Sequence, residues 1–380
     1  MKHSKINWDG LPNNFLAEWI MSEHFERFKE ATVEEVAEAY VGVYSTRPTS
    51  WLAILARNNN VDRPTVISME ANPDLVRIPG MRRSKFLLPQ PLATIVFGAT
   101  RLPLVNHEWR LCDVGLTLAD YRQIIPDLVG FTTSAPARLK DIGNAFGLTG
   151  PQARACVSVA TYDGVLIRIP PPNIWSNRWL YAAAPGGLLQ GDSTSLNSEW
   201  LLRNIAIRYV EHYGPVTIDD LAWWLSISKE KSSLLMEDTG ACEIGSGMWI
   251  SMTRQELFEQ CISQTTQNLN ADVRFLPAWD PLVMGYAPGS KQRKCLGLDL
   301  VGGYDATGNG LPVVLMGAQA VTTWGMKVNG SKRSIQIDLS CVTGKKRDAI
   351  QKEASIWANQ IEASYDPDKN IKKFTTGKVG

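Results

Sequence analysis

The chain has 380 residues, 44% hydrophobic and 20% charged, with a formal charge of +1. That length holds about two to four domains with substantial cores. The near-neutral balance excludes a broadly basic protein, so any nucleic-acid surface must be a local Lys/Arg patch offset by acid elsewhere.

Residues 13–40 are helical in pattern, with Phe15, Leu16, Trp19 and Ile20 on one face. Thr32 and Glu35 have the spacing of a capping box ahead of Val36, Ala37 and Tyr40. A break over 42–48 leads into a short helix, and residues 75–89 read as two strands about Pro79-Gly80, a wing bearing Arg77, Arg82, Arg83 and Lys85. Helices over 116–125, 135–146 and 150–159 and a strand at 164–170 repeat this plan without repeating the sequence. Residues 209–225 then give the clearest outline in the chain. A helix stops at Gly214, a turn runs through Pro215 and Val216, and Thr217 caps a second helix with Asp219 and Asp220 in its first turn. This is the outline of a helix-turn-helix. A further amphipathic helix follows, then a hairpin alternating about Gly245-Ser-Gly247, completing a winged helix. From 272 the period changes to two, as in a small barrel or curled sheet, and 345–363 reads as a closing amphipathic helix before a polar tail.

The expected fold is therefore α+β: three tandem winged-helix domains and a small C-terminal β-barrel. The segments are 1–105, 106–190, 191–255, 256–344 and 345–380. Six cysteines lie far apart with no Cys-x-x-Cys pair, and four histidines, at 3, 24, 107 and 212, are too dispersed for a metal site. No metal and no cofactor are expected, and His212 is placed on a helix surface. The N-terminus lacks the apolar core of a signal peptide, and no run approaches the ~18 apolar residues of a membrane span. A cytoplasmic protein without a membrane partner is expected.

Three stretches together resemble the AlkZ/YcaQ-like winged-helix DNA glycosylases. They are Tyr213-Gly-Pro-Val-Thr-Ile-Asp-Asp-Leu-Ala-Trp-Trp-Leu225, Phe275-Leu-Pro-Ala-Trp-Asp-Pro-Leu-Val-Met-Gly-Tyr286 and Pro312-Val-Val-Leu-Met-Gly-Ala-Gln-Ala-Val-Thr-Thr-Trp324. A weaker fourth is Leu75-Val-Arg-Ile-Pro-Gly-Met-Arg-Arg83. The resemblance implies tandem winged helices in a C-shaped arrangement, with the barrel helping to form a DNA channel. It implies excision of alkylated bases, including cross-linked purines, from double-stranded DNA; some members are self-resistance factors against genotoxins. A monomer is expected.

The family signature, Gln-x-Gln or Gln-x-Asp in a Gly-Leu-Gln-x-Gln-x-Pro context, falls on Gly42-Val-Tyr-Ser-Thr-Arg-Pro48. The glycine and proline hold the register, and the signature positions become Tyr44 and Thr46, with Ser45 between them. Breaking an N-glycosidic bond needs a leaving group, stabilisation of oxocarbenium-like charge and a positioned water. A carboxylate would also take the proton of water, whereas Tyr and Thr hydroxyls only orient it at neutral pH.

Asp280, between Trp279 and Pro281, reads either as a carboxylate facing the lesion or as the cap of a turn. The candidate catalytic residues are thus Tyr44, Thr46 and Asp280. Candidate DNA contacts are Arg47, Arg57, Arg82, Arg83 and Lys85 around the first wing, with Gln319, Thr322 and Trp324 on a barrel hairpin. Trp324 reads as core or as a stacking wedge, and Arg293 is among further basic residues on barrel turns. The alternative to a glycosylase is a non-catalytic winged-helix DNA-binding protein, a lesion binder or regulator.

Overall fold

The structure is a computed structural model that describes residues 6, 8, 11, 14–46, 48–58, 60–186, 198–263 and 272–367. It mixes helices and strands and divides into two compact units, one of 33–50 with 65–208, the other of 1–32, 51–64 and 209–380. This division is coarser than the five segments read from the sequence.

In the first of these units the helix Val33–Ala39 buries Val36 and Ala37. Its end is a Schellman turn: Gly42 N–H donates to Ala37 O at 2.7 Å and Val41 N–H to Glu38 O at 3.0 Å. Val41 itself occupies the left-handed region (φ 53°), where a β-branched residue is strained, and Gly42 follows at φ 98°. A Cβ on Gly42 would lie 2.8 Å from Leu88 Cδ2, so both backbone and packing require glycine there. The turn delivers the chain into β1 (Val43–Tyr44), which joins β2 (Leu75–Pro79) and β3 (Lys85–Pro89) in the order β1-β3-β2. Both pairings are antiparallel, with Tyr44 opposite Phe86 and Ile78 on the other side of Phe86.

A second three-stranded sheet, β4 (Ala137–Arg138), β5 (Leu166–Ile169) and β6 (Leu180–Ala183), has the order β4-β6-β5. Capping boxes at Thr117 and Thr149 start the helices Leu118–Ser134 and Gly150–Asp163. Their apolar faces meet in a core of Leu111, Tyr121, Leu128, Ile142, Cys156 and Leu166.

The other unit contains the turn at 214–217. The helix Ser198–Tyr213 stops at Gly214, whose carbonyl accepts from Trp19 Nε1 at 2.8 Å. Thr217 caps Ile218–Leu225 through a capping box with Asp220, as its spacing predicts. Asp220 does more than cap. It is fully buried and its carboxylate also accepts from Ala287 N–H at 2.8 Å and Gln292 Nε2 at 3.3 Å. The helix Lys229–Asp238 and the hairpin of β7 (Cys242–Glu243) and β8 (Trp249–Ile250) follow.

Next comes a curled half-barrel of five strands: β9 (Val273–Leu276), β10 (Val313–Met316), β11 (Gln319–Asn329), β12 (Lys332–Ile337) and β13 (Ser364–Tyr365). Its order is β13-β12-β11-β10-β9, antiparallel except for the parallel β12/β13 pair. The two end strands do not pair, so the expected barrel is an open sheet. The helix Gly344–Gln360 covers it, setting Trp357 parallel to Phe275 at 6.1 Å and edge-on to Trp324 at 6.4 Å.

His212, expected on a surface, is 2% exposed. It packs against His24 at 5.0 Å and Phe28 at 5.3 Å, because Phe15–His24 covers that side of its helix. No helix among the described residues is long and apolar enough to cross a membrane.

Candidate DNA-processing site

Tyr44 and Thr46 sit where β1 gives way to the helix Thr49–Leu55. Ser45 N–H donates to Lys85 O at 2.9 Å, which ends the ladder, and Thr46 O accepts from Ser50 N–H at 3.1 Å, which begins the helix. Both candidate side chains are half-buried, while Ser45 is fully buried. The Ser45 hydroxyl makes no hydrogen bond among the described residues.

The Tyr44 ring lies 4.6 Å from that of Phe86, its cross-strand partner, and the side chains of Arg82 and Ser84 act on its hydroxyl. Burial raises the phenol above its ordinary value, against the lowering effect of Arg82. It is therefore neutral near pH 7 and offers one donor and two lone pairs, not a base.

Arg82 reaches Tyr44 from an unusual turn. Residues Met81–Arg83 form one 3-10 turn in which Arg82 (φ 52°) and Arg83 (φ 57°) both adopt left-handed conformations. Gly80 N–H to Ser84 O at 2.8 Å closes it. Two non-glycine residues held this way cost on the order of 1–3 kcal/mol each, a strain that concentrates at functional sites. Arg83 is exposed and Arg82 half-buried.

Lys85 follows on β3. Adjacent strand residues point to opposite faces, so Phe86 shares the Tyr44 face and Lys85 takes the other. Its ammonium lies 4.4 Å from the centroid of the Tyr162 ring. Arg110 stands over the same ring at 5.1 Å and over Trp109 at 4.3 Å, and Arg168 over Trp179 at 5.5 Å. His107 stacks on Tyr162 at 4.6 Å, with 15° between the planes. Burial, with the charges of Arg168 and Arg110, pushes Lys85 down to about 7. Burial and Arg110 also lower His107, against a smaller raising effect of Asp163. The sequence singled out Lys85 for DNA contact but not Arg110, His107, Tyr162 or Arg168, which come from two other segments, 107–110 and 162–168, with no shared motif.

Other candidates have structural roles instead. Arg57 and Asp280 form a two-pronged ion pair, Nη1 to Oδ2 at 2.8 Å and Nη2 to Oδ1 at 2.7 Å, with both side chains 0% exposed. Arg57 also donates to Ala53 O at 2.7 Å, and its guanidinium lies 5.0 Å from the Phe25 ring. Asp280 accepts from Leu282 N–H at 2.9 Å, the turn-capping alternative. Neither side chain has surface left to meet a phosphate or a lesion.

Trp324 is 2% exposed, donating from Nε1 to Leu276 O at 2.8 Å, so it is core and not a wedge. Thr322 is 7% exposed and donates its hydroxyl to Asp338 O; inward-facing strand positions account for both. Gln319 is exposed at the start of β11 and donates to Cys295 O. Arg293 is buried, 3.7 Å from the Tyr304 ring centroid. Arg47 lies outside the described residues. Among the described residues no cluster of His, Cys, Asp and Glu has the arrangement of a metal site.

A helix-turn-helix and an arginine-bearing hairpin turn are features of a protein that handles nucleic acid. The chain belongs to the DNA glycosylase AlkZ-like family, which it matches over residues 37–359. In fold it is similar to Streptomyces sahachiroi DNA glycosylase AlkZ, at 18% identity and a TM-score of 0.68, over 96% of this chain and 98% of that one. A comparison with the curated proteins found no match.

Proposed function

We propose that the chain excises a cationic, N7-alkylated purine from duplex DNA: the C1′–N9 bond breaks, the base leaves neutral, and a water oriented by Tyr44 and Thr46 adds to C1′ and gives its proton to solvent, with no general base. Family membership supports glycosylase chemistry, and the state of Tyr44 supports this version of it. A purine already charged by alkylation needs no protonation to leave. Positioning of water then supplies the catalysis that a base would otherwise share. Arg82 and Ser84 act on the phenol oxygen, which leaves the phenol O–H to orient the water. Asp280 takes no part, since Arg57 and the Leu282 amide occupy its oxygens.

On this reading the three helix-plus-hairpin segments act as tandem winged helices that hold the duplex. A cross-linked purine is a substrate of the same kind, because the alkyl bridge leaves the same charge on the base.

The test is release of free base from an N7-alkylguanine duplex. Wild-type protein is expected to release it, and Tyr44→Phe with Thr46→Val to lower the rate by on the order of 10²-fold. No release, under conditions where a Gln-x-Gln relative releases base, would overturn the proposal. Tyr44→Gln with Thr46→Gln is expected to retain or raise the rate.

A further inference from the structure

Lys85, Arg110 and Arg168 gather around the Tyr162 and Trp179 rings, and among the described residues none of the three makes an ion pair. Tyr181 acts on Arg168, and the Tyr162 hydroxyl donates to Arg83 O at 2.8 Å. Asp163, the acid that acts on neighbouring His107, is held by Arg101 Nη2 at 2.9 Å and the Tyr121 hydroxyl at 3.0 Å. The Nε atoms of Arg110 and Arg168 are buried without a partner, as is His107 Nε2. Cations crowded in this way repel one another and lose hydration, and aromatic faces return only part of that cost. One anion among them would relieve both costs. Each of the three residues is half-buried as a whole. Arg83 and Trp109, both exposed, flank the cluster.

We infer that Lys85, Arg110 and Arg168 form a seat for one backbone phosphate of DNA, on the face of the first hairpin opposite Tyr44. Two guanidiniums and an ammonium match the charge and the lone pairs of a phosphodiester. Exposed Trp109 gives an adjoining sugar or base an aromatic surface. The inference rests on the DNA reading above and adds a second point of grip.

The seat carries a proton signature. The groups facing Lys85 are Arg168 and Arg110, with Tyr162 beneath it; His107, Arg83 and Asp163 stand close by. In the free protein Lys85 is half deprotonated at about pH 7. A phosphate favours the ammonium, so binding takes up a proton above that pH. Affinity is then full only well below pH 7 and falls as pH rises through that value, until Lys85 would lose its proton in the complex as well.

The experiment is duplex DNA binding at constant ionic strength from pH 6 to 9, with wild type, Lys85→Arg and Lys85→Met, each checked for folding by thermal melting. Wild-type affinity is expected to fall on the order of tenfold between pH 7 and 8.5. Lys85→Arg should bind at every pH without that fall, since its guanidinium keeps its charge. Lys85→Met should bind more weakly below pH 7 and reduce the salt slope by about one.

Identical pH profiles for wild type and Lys85→Arg would overturn the inference. Inorganic phosphate that binds wild type but not Lys85→Met, with DNA affinity equal in the two, would overturn it in favour of a small phosphorylated ligand. Absence of DNA binding by wild type at any pH would defeat the DNA reading itself, a different failure from unaltered DNA binding by the variants.

Discussion

Arg57 and Asp280 illustrate how one residue's chemistry depends on what surrounds it. Either, exposed, would be a plausible partner for DNA; joined at 2.7 and 2.8 Å with no exposed surface, they hold a loop to a helix. Removing one partner leaves a buried charge without compensation. Asp280→Ala is therefore expected to destabilise by roughly 3–5 kcal/mol in urea denaturation. Base release by the variant that remains folded should be unchanged, and a specific loss there would return Asp280 to the reaction. Tyr44 differs: as a residue it is only half-buried, and its phenol lies beside Arg82 and Ser84 without a buried ion pair to seal it. Its neighbour Ser45 pairs with the Lys85 carbonyl and turns inward.

Turns and caps set the positions of these groups. The 214–217 turn was legible because Gly214, Thr217 and Asp220 act on backbone atoms a few residues away. The second duty of Asp220, binding the Ala287 amide, was not legible, since that partner lies far along the chain. Gly285 has a comparable hidden role. A Cβ there would lie 2.3 Å from Tyr213 Cε1, and the Tyr213 ring is itself stacked on Tyr209 at 4.9 Å and flanked by Tyr286 at 5.9 Å. With its ring held from both sides, Tyr213 cannot yield cheaply. Gly285→Ala is expected to cost about 1–3 kcal/mol, seen as a lower melting temperature, and an unchanged melt would show that the packing gives way. The Met81–Arg83 turn is likewise invisible to pattern reading, since two arginines give no signal for left-handed backbone.

Across the whole molecule the buried histidines should set the acid limit of stability. His24 and His212 are both buried, and burial first, with nearby arginines and for His212 also His24, holds both well below the ordinary value. The unfolded chain gains their protons near pH 6.5 while the folded chain stays neutral, so stability is full above that pH and is lost as pH falls through it. Each histidine contributes up to about 1.4 kcal/mol per pH unit. Glu23 and Asp220, raised chiefly by burial, act in the opposite sense at lower pH. The urea midpoint is expected to drop between pH 7.5 and 5.5, and His24→Gln to remove part of that slope. A flat wild-type profile would refute the assignment.

By itself the sequence determined what acts over a few residues or survives as an ordered string. Thr217 with Asp220, the alternation of the strands after 272 and the four family-like stretches were all readable, and they led to the AlkZ-like family. Only the tertiary structure decided which side chains meet. Burial and ion pairing depend on segments far apart in the chain, so it took the fold to enclose Arg57, Asp280 and Trp324 and to gather Lys85, Arg110 and Arg168 around shared aromatic surroundings. A lone basic residue in a sequence has a charge, but its desolvation and its neighbours, which fix what that charge can do, come from packing.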